Sequence, residues 1–171
     1  RAIWYSVNEV SLLGGMLGFT GMENYKRVFS DPEFSSIVSN SFQWTFIAVG
    51  LQLVVGTLGA LLLNQTFKLR GTVRGLAMIP WATPSVLVAL IWMWLLDPNH
   101  GLINAFALKI GLIDEPVALL SNPDTALRTL IYIDAWQGVP FFAVMILAAL
   151  QSVPEDLKDA AKTDGCSRFM V

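Results

Sequence analysis

Residues 40–63 read NSFQWTFIAVGLQLVVGTLGALLL and contain no charged side chain. Two further apolar stretches follow: residues 75–96, GLAMIPWATPSVLVALIWMWLL, are also uncharged, and residues 129–150, TLIYIDAWQGVPFFAVMILAAL, carry only Asp134. A helix needs about 20 predominantly apolar residues to cross the hydrocarbon core of a bilayer, and a soluble helix of that length would show a polar face. The sequence therefore predicts three full membrane-spanning helices in an all-α, polytopic transmembrane helical bundle.

The composition agrees with a membrane protein. The chain has 171 residues, of which 54% are hydrophobic and 14% charged, whereas soluble domains carry about 25% charged residues. The competing interpretation, buried helices in a large soluble core, leaves unexplained why five of the six tryptophans lie in or near the apolar stretches, as is typical of membrane interfaces. A net charge of −2 gives no basic excess of the kind that binds nucleic acid.

The charges of the loops predict an orientation. Residues 64–74 hold three basic residues and no acidic one, whereas residues 97–125 hold four acidic residues and one lysine. Basic residues concentrate on the cytoplasmic side of membrane proteins. Because the chain starts at Arg1 rather than at a methionine, we also expect it to be a fragment. The expected organisation is a single multi-pass domain, residues 1–171, in the cytoplasmic (inner) membrane, with residues 64–74 and 151–171 in the cytoplasm and residues 7–38 and 97–125 outside.

A short polar helix is predicted directly after the third apolar stretch, over residues 153–164. Ser152 and Glu155 match a capping box at its start, and Gly165 suits the left-handed residue that follows a helix. Ala160 and Ala161 have small side chains, so another surface can approach the helix backbone closely. The sequence leaves open whether a partner docks there or whether the helix lies among lipid headgroups.

The segment from Asp159 to Cys166, DAAKTDGC, resembles the EAA motif of binding-protein-dependent ABC transporter permeases. It departs from that motif in Asp159, where the family has glutamate, and in Cys166, where the family has alanine. The carbohydrate branch of the family, which imports maltose and glycerol phosphate, is similar over nearly the whole chain. This wider resemblance rests on FTGMENYKRVFSDPEF (19–34), IPWATPSVLVALIWMWLLDPNHGLIN (79–104) and WQGVPFFAVMILAALQSVPEDL (136–157).

The resemblance implies the permease fold of a type I ABC importer, with a cytoplasmic coupling helix that engages a separate ATPase through residues 153–169. The residues implied for this contact are Asp159, Ala160, Ala161, Asp164 and Gly165. The implied partners are a second permease subunit in a heterodimer, two cytoplasmic ATPase subunits and an extracytoplasmic solute-binding protein. The chain lacks the G-x-x-x-x-G-K-[ST] phosphate-binding sequence. We therefore expect it to be no enzyme and to hold no cofactor, ATP and Mg²⁺ being bound by the partner ATPase.

Asp134, Trp136 and Gln137 are candidates for a translocation path. A carboxylate inside a membrane span is costly and usually faces the bundle interior or a water-filled cavity. Polar groups beside an aromatic ring also suit a sugar, whose hydroxyls bond and whose ring stacks. The alternative is structural, with Asp134 and Gln137 bonding neighbouring helices. The sequence shows no metal-ligand cluster and no set of catalytic residues.

Two other functions remain open at this stage. The chain is either a permease for another solute, such as an amino acid, or a membrane scaffold that transports nothing and recruits a cytoplasmic partner. A polar, water-accessible path through the assembled complex would distinguish a permease from a scaffold.

Overall fold

A computed structural model describes residues 1–11 and 15–166 of the chain. The chain divides into two compact units, Arg1–Gln43 and Trp44–Val171. The first unit contains α1 (Ala2–Ser6), β1 (Asn8–Val10), β2 (Met16–Phe19), α2 (Glu23–Ser30) and the start of α3 (Phe34–Asn64). The second contains the rest of α3 and α4 (Arg70–Ala77), α5 (Ile79–Ala82), α6 (Ser85–Leu95), α7 (Leu102–Lys109), α8 (Pro123–Ser152) and α9 (Glu155–Thr163).

The first unit corrects the expectation of an all-α chain. Strands β1 and β2 pair antiparallel, with Asn8 opposite Phe19. Asn8 is buried and donates from Nδ2 to the Trp4 carbonyl at 2.6 Å, while its own carbonyl accepts from Asn24 Nδ2 at 3.1 Å. Strands of three and four residues are too short to show the alternation by which a strand is recognised in a sequence. The fold is thus mostly helical with one small hairpin.

Two helices in the described residues are long and apolar enough to cross a membrane by themselves, α3 and α8. They contain the predicted spans 40–63 and 129–150. Helix α8 starts as the sequence indicates, because the Asn122 side chain accepts a hydrogen bond from the Asp124 backbone N–H and Pro123 occupies the first turn. Proline is favoured there since its missing N–H would lack a helical partner anyway.

The predicted full span over residues 75–96 is wrong as a continuous helix. Helices α4 and α5 together are bent by 89° relative to α6, and the break falls at Thr83–Pro84. Pro84 lacks the N–H that a continuing helix needs and disfavours helical backbone at the preceding residue. Thr83 accordingly has extended dihedral angles, φ −78° and ψ 131°. The described chain therefore has two membrane-spanning candidates, or three if the bent pair forms one broken span.

Small residues bring α3 and α8 together. Gly56 on α3 faces α8 so closely that an added Cβ atom would lie 2.7 Å from Phe142 Cβ. One turn further along α3, Ala60 is fully buried and packs with Leu63 and Leu147 in a hydrophobic cluster. Two small residues four positions apart let the backbones of neighbouring helices approach closely, as happens here at Gly56 and Ala60.

The segment after α6 is held by side-chain hydrogen bonds to the backbone. Asp97 Oδ1 accepts from the backbone N–H groups of His100 at 2.7 Å and Asn99 at 2.9 Å. These two hydrogen bonds, that of His100 first, lower the pKa of the Asp97 carboxyl below its ordinary value. Asn104, only 4% exposed, donates to the carbonyls of Leu96, Asp97 and Val117 and accepts from the Val117 N–H at 2.9 Å.

Candidate functional site

Helix α9 follows α8 after a connection of two residues, Val153 and Pro154. The predicted capping box depends on the Glu155 side chain, which lies outside the described part of the chain. Ser152 is the last residue of α8, and its hydroxyl donates to the Ala149 carbonyl at 2.7 Å. Helix α9 begins at Glu155, two residues later than the predicted start at 153, because Val153 is extended (φ −75°, ψ 118°) and Pro154 precedes the first helical residue.

The end of α9 has the geometry that its sequence predicts. Gly165 adopts φ +83°, in the left-handed region. The Cys166 N–H donates to the Ala161 carbonyl at 3.0 Å, and the Asp164 N–H donates to the Ala160 carbonyl at 2.9 Å. The bond from Cys166 closes a Schellman motif, which satisfies a carbonyl that the end of a helix would otherwise leave without a donor. The chain therefore turns sharply at Gly165.

The five residues expected to contact an ATPase lie on α9 and on the turn after it. Ala160 is exposed and Ala161 partly buried, whereas Asp159, Asp164 and Gly165 are exposed. Ala160 and Ala161 thus leave the α9 backbone accessible to a partner surface. Of the predicted coupling segment, residues 167–169 lie outside the described residues.

A second group of polar residues lies around the break at Thr83–Pro84. It lines an open cavity of about 430 Å³, within the usual range of about 300–1,000 Å³ for small-molecule sites. Gln137 on α8 donates from Nε2 to the Thr83 carbonyl at 3.2 Å, which no helical N–H satisfies since the N–H groups of Leu87 and Val88 bond to Pro84. The residues that line the cavity are Trp81, Ala82, Thr83, Pro84, Ser85, Asp134, Gln137 and Gly138.

Two side chains of α3 hold Asp134. Trp44 Nε1 donates to Asp134 Oδ2 at 3.2 Å, and Gln52 Nε2 donates to the Asp134 backbone carbonyl at 3.3 Å. The Gln52 amide lies across Gly138, where any side chain would collide with it. Asp134 therefore bonds a neighbouring helix, as the structural alternative expects, while its side chain also lines the cavity.

The structure separates Trp136 from the other two path candidates. Asp134 and Gln137 are three residues apart and share the polar cavity, but Trp136 packs edge-to-face on Trp92 with ring centroids 5.4 Å apart. Trp136 lines a larger, mostly apolar cavity of about 980 Å³ instead. The aromatic side chain beside Asp134 and Gln137 is Trp81, which in the sequence is one tryptophan among several near the apolar stretches. The signal for it was Pro84, three residues away, which breaks the helix.

In the described part of the chain, no cluster of His, Cys, Asp or Glu side chains has the grouping that a metal ion needs.

Comparisons with known proteins identify relatives over most of this chain. It is 38% identical over 153 residues to the trehalose/maltose transport system permease protein MalF of Thermococcus litoralis, which covers 88% of the chain and 50% of that protein. It is 32% identical over 170 residues to the sulfoquinovosyl glycerol transport system permease protein SmoG of Agrobacterium fabrum, covering 99% and 54%. The chain therefore spans about half the length of these relatives.

The fold is that of a solved transporter. The chain resembles a bacterial alginate ABC transporter, solved in complex with an alginate pentasaccharide-bound periplasmic protein, with a TM-score of 0.74 at 24% identity, over 88% of this chain and 52% of that one. The family model described as a binding-protein-dependent transport system inner membrane component matches residues 32–171. The chain thus belongs to this family of inner membrane transport components, as the motif at residues 159–166 predicted.

Proposed function

We propose that the chain is part of the permease subunit of an ATP-driven importer, and that α9 is the helix that couples it to a separate ATPase. The assembly would contain a second permease subunit, two cytoplasmic ATPase subunits, which bind ATP and Mg²⁺, and an extracytoplasmic solute-binding protein. The dependence on a binding protein in the family description supports the last of these. A transport component also agrees with the expectation that this chain is not an enzyme.

The geometry of α9 carries this proposal. The helix has nine residues and follows a membrane-spanning candidate after two residues. Ala160 leaves its backbone accessible, and the Schellman motif at Gly165 ends it sharply. A short helix with a defined start and end is held rigidly enough to bind in a groove on another protein. A segment that only lies among headgroups has no need of a small-residue surface or a defined end.

The experiment changes α9 without touching the spans. In the full-length complex, Gly165→Val places a β-branched residue in the left-handed region, which costs about 1–2 kcal/mol, whereas Gly165→Asn keeps that conformation accessible. Ala161→Trp blocks close approach, and Ala161→Ser is its small-residue control. We expect the valine and tryptophan variants to reach the membrane but to lose the ATPase in pull-downs, or to lose its stimulation by solute. Normal coupling in both would disprove the role of α9.

The solute that we propose is a carbohydrate, bound in part by the cavity at Thr83–Pro84. Asp134, Gln137 and Ser85 provide hydrogen-bonding groups for hydroxyls, and Trp81, 48% exposed, provides an aromatic face. The Trp81 ring also stacks on the ring of Phe141, and the two ring centroids are 5.5 Å apart. The sugar solutes in the names of the two relatives support a carbohydrate as the class of solute. The residues that line the cavity support this cavity as the place where the solute binds.

Substitution of two tryptophans of similar exposure tests whether the solute binds in the cavity at Thr83–Pro84. Trp81 and Trp136 are 48% and 45% exposed, but only Trp81 lines the polar cavity. In uptake assays with reconstituted full-length complex, we expect Trp81→Leu to raise the apparent KM for the sugar and Trp136→Leu to leave it nearly unchanged. Asp134→Asn should lower uptake with the complex intact. Equal effects of the two tryptophan variants would exclude this cavity as the solute site.

The alternatives have their own outcomes in the same assay. Uptake of amino acids in preference to sugars would keep the permease and replace the solute. An assembled complex that transports no solute but still binds a cytoplasmic partner through α9 would indicate the scaffold.

A further inference from the structure

A polar cluster joins the ends of α3, α4 and α8 on the side that the loop charges assign to the cytoplasm. The side-chain amide of Gln151, in the last turn of α8, lies against two guanidinium groups that can only donate hydrogen bonds, so we assign its oxygen to the side that faces them. In that orientation the oxygen accepts from Arg70 Nη2 and, at 2.8 Å, from Arg74 Nη2. Arg74 Nη2 also donates to the carbonyl of Leu63 at the end of α3, at 3.4 Å. Gln151, Arg70 and Arg74, which we call the arginine bracket, thus connect three helices: Gln151 joins α8 to α4, and Arg74 joins α4 to α3.

The charges of the bracket are unusual for such a junction. Two guanidinium groups converge on one neutral acceptor. Arg70 and Arg74 lie four residues apart, so both project from one face of α4. The two arginines therefore depend on Gln151 for their shared contact, whereas Arg74 keeps its bond to the Leu63 carbonyl when Gln151 is lost.

The position of the bracket relates it to α9. Gln151 lies four positions before Glu155, the first residue of α9. The connection consists of extended Val153 and of Pro154, whose ring fixes its own φ angle. The last turn of a helix has carbonyls without helical partners and frays readily. A contact that holds this turn of α8 against α4 therefore also holds the start of α9 against the bundle.

We propose that the arginine bracket, through Gln151 as its positioning residue, makes α9 and the inner end of the bundle move together, so that movement of α9 is passed to the spans rather than absorbed in the joint. This inference rests on the proposed role of α9 as a coupling helix. The bracket residues do not line the polar cavity at Thr83–Pro84, and their proposed contribution is to the stiffness of the connection between α8 and α9.

The test replaces Gln151 in the full-length complex and measures ATPase activity with and without solute-loaded binding protein. Gln151→Leu removes the acceptor at similar size, and we expect the stimulation ratio to fall about fivefold, the change that matches the loss of about 1 kcal/mol. Basal ATPase activity and the amount of assembled complex should stay at the parental level. Gln151→Glu should keep the ratio at or above the parental value, because hydrogen bonds to charged acceptors are about twice as strong.

Gln65→Leu is the matched control. Gln65 is exposed just beyond α3, and its side chain makes no hydrogen bond in the described part of the chain. Parental stimulation in Gln151→Leu, or equal loss in Gln151→Leu and Gln151→Glu, would refute the bracket, as would a loss of assembled complex that accounts for the whole effect. Gly165→Val in the same assay separates the two proposals. If that variant stays coupled, the role of α9 fails, whereas if it uncouples and Gln151→Leu does not, only the bracket fails.

Discussion

Among the glycines of α3, Gly56 has the least room for a side chain. A Cβ atom added there would lie 2.7 Å from Phe142 Cβ and 3.2 Å from the backbone nitrogen of Ala143. Both neighbours are at or next to the α8 backbone, so neither can swing away as the end of a long side chain would. We therefore expect Gly56→Ala to push α3 and α8 apart along the contact that buries Ala60 and Leu147.

The magnitude follows from comparison with Gly59, three residues further along the same helix. A Cβ atom at Gly59 would lie 3.4 Å from Ala143 Cβ, which is an ordinary contact. Alanine is favoured over glycine inside a helix by up to about 1 kcal/mol, and this gain is common to both variants. Overpacking typically costs about 1–3 kcal/mol. We expect Gly56→Ala to have a free energy of unfolding lower than that of Gly59→Ala by this amount.

The assay is SDS-driven unfolding of the purified full-length protein in mixed micelles, followed by tryptophan fluorescence. Subtracting the two free energies of unfolding removes the gain in helix propensity, which both alanine variants share. What remains is the cost of the steric clash at Gly56. Free energies of unfolding that agree within about 0.5 kcal/mol, the usual error of such comparisons, would show that α3 and α8 do not approach at Gly56, and the reasoning would fail.

Three other predictions concern the loops. After Cys166→Ala, a cysteine at 114 or 115 should react with an impermeant thiol reagent added outside the cell and a cysteine at 70–72 should not; the reverse would invert the orientation. The pKa of Asp97 is lowered on folding, so its stabilisation is present above the ordinary carboxyl pKa of about 4 and is lost as pH falls through the lowered value. Melting temperatures measured against pH should therefore converge at low pH for the parent and Asp97→Asn, and a constant difference would contradict this. Asn104→Leu should lower the free energy of unfolding by more than about 1–3 kcal/mol, since several buried backbone groups lose their partner at once, and a change below about 1 kcal/mol would count against that role.

The sequence predicted those features that depend on a single helix. The spans within α3 and α8 follow from long, predominantly apolar stretches, and the end of α9 follows from Gly165. Each of these is decided within a few residues along the chain, so composition and local preference suffice. The family also follows from local information, because the motif at residues 159–166 is contiguous.

The features that the sequence did not predict depend on contacts across the chain. Residues 75–96 were predicted as one full span, without the break at Thr83–Pro84, since the bend that a proline produces depends on which donor receives the freed carbonyl. Here it is Gln137, on another helix. The presence of Trp81 beside Asp134, where Trp136 was predicted, also depends on a contact between helices. A residue's face on α8 is known from helical spacing, but the identity of its neighbours requires the packing of α5 against α8.

Helix α8 carries both proposed sites, and this limits how they can communicate. Asp134 and Gln151 are 17 residues apart in one helix, which corresponds to about 25 Å at 1.5 Å per residue. Asp134 is held by α3 and Gln151 by α4, so α8 is tied to its neighbours near the polar cavity and again near α9. A rigid-body movement of α8 would then change the cavity and α9 at once, without a chain of side-chain rearrangements between them. Pro140 lies between the two sites and removes one backbone hydrogen bond. However, Pro140 is buried and α8 continues through it, so packing opposes bending at the one point where the helix is intrinsically weak.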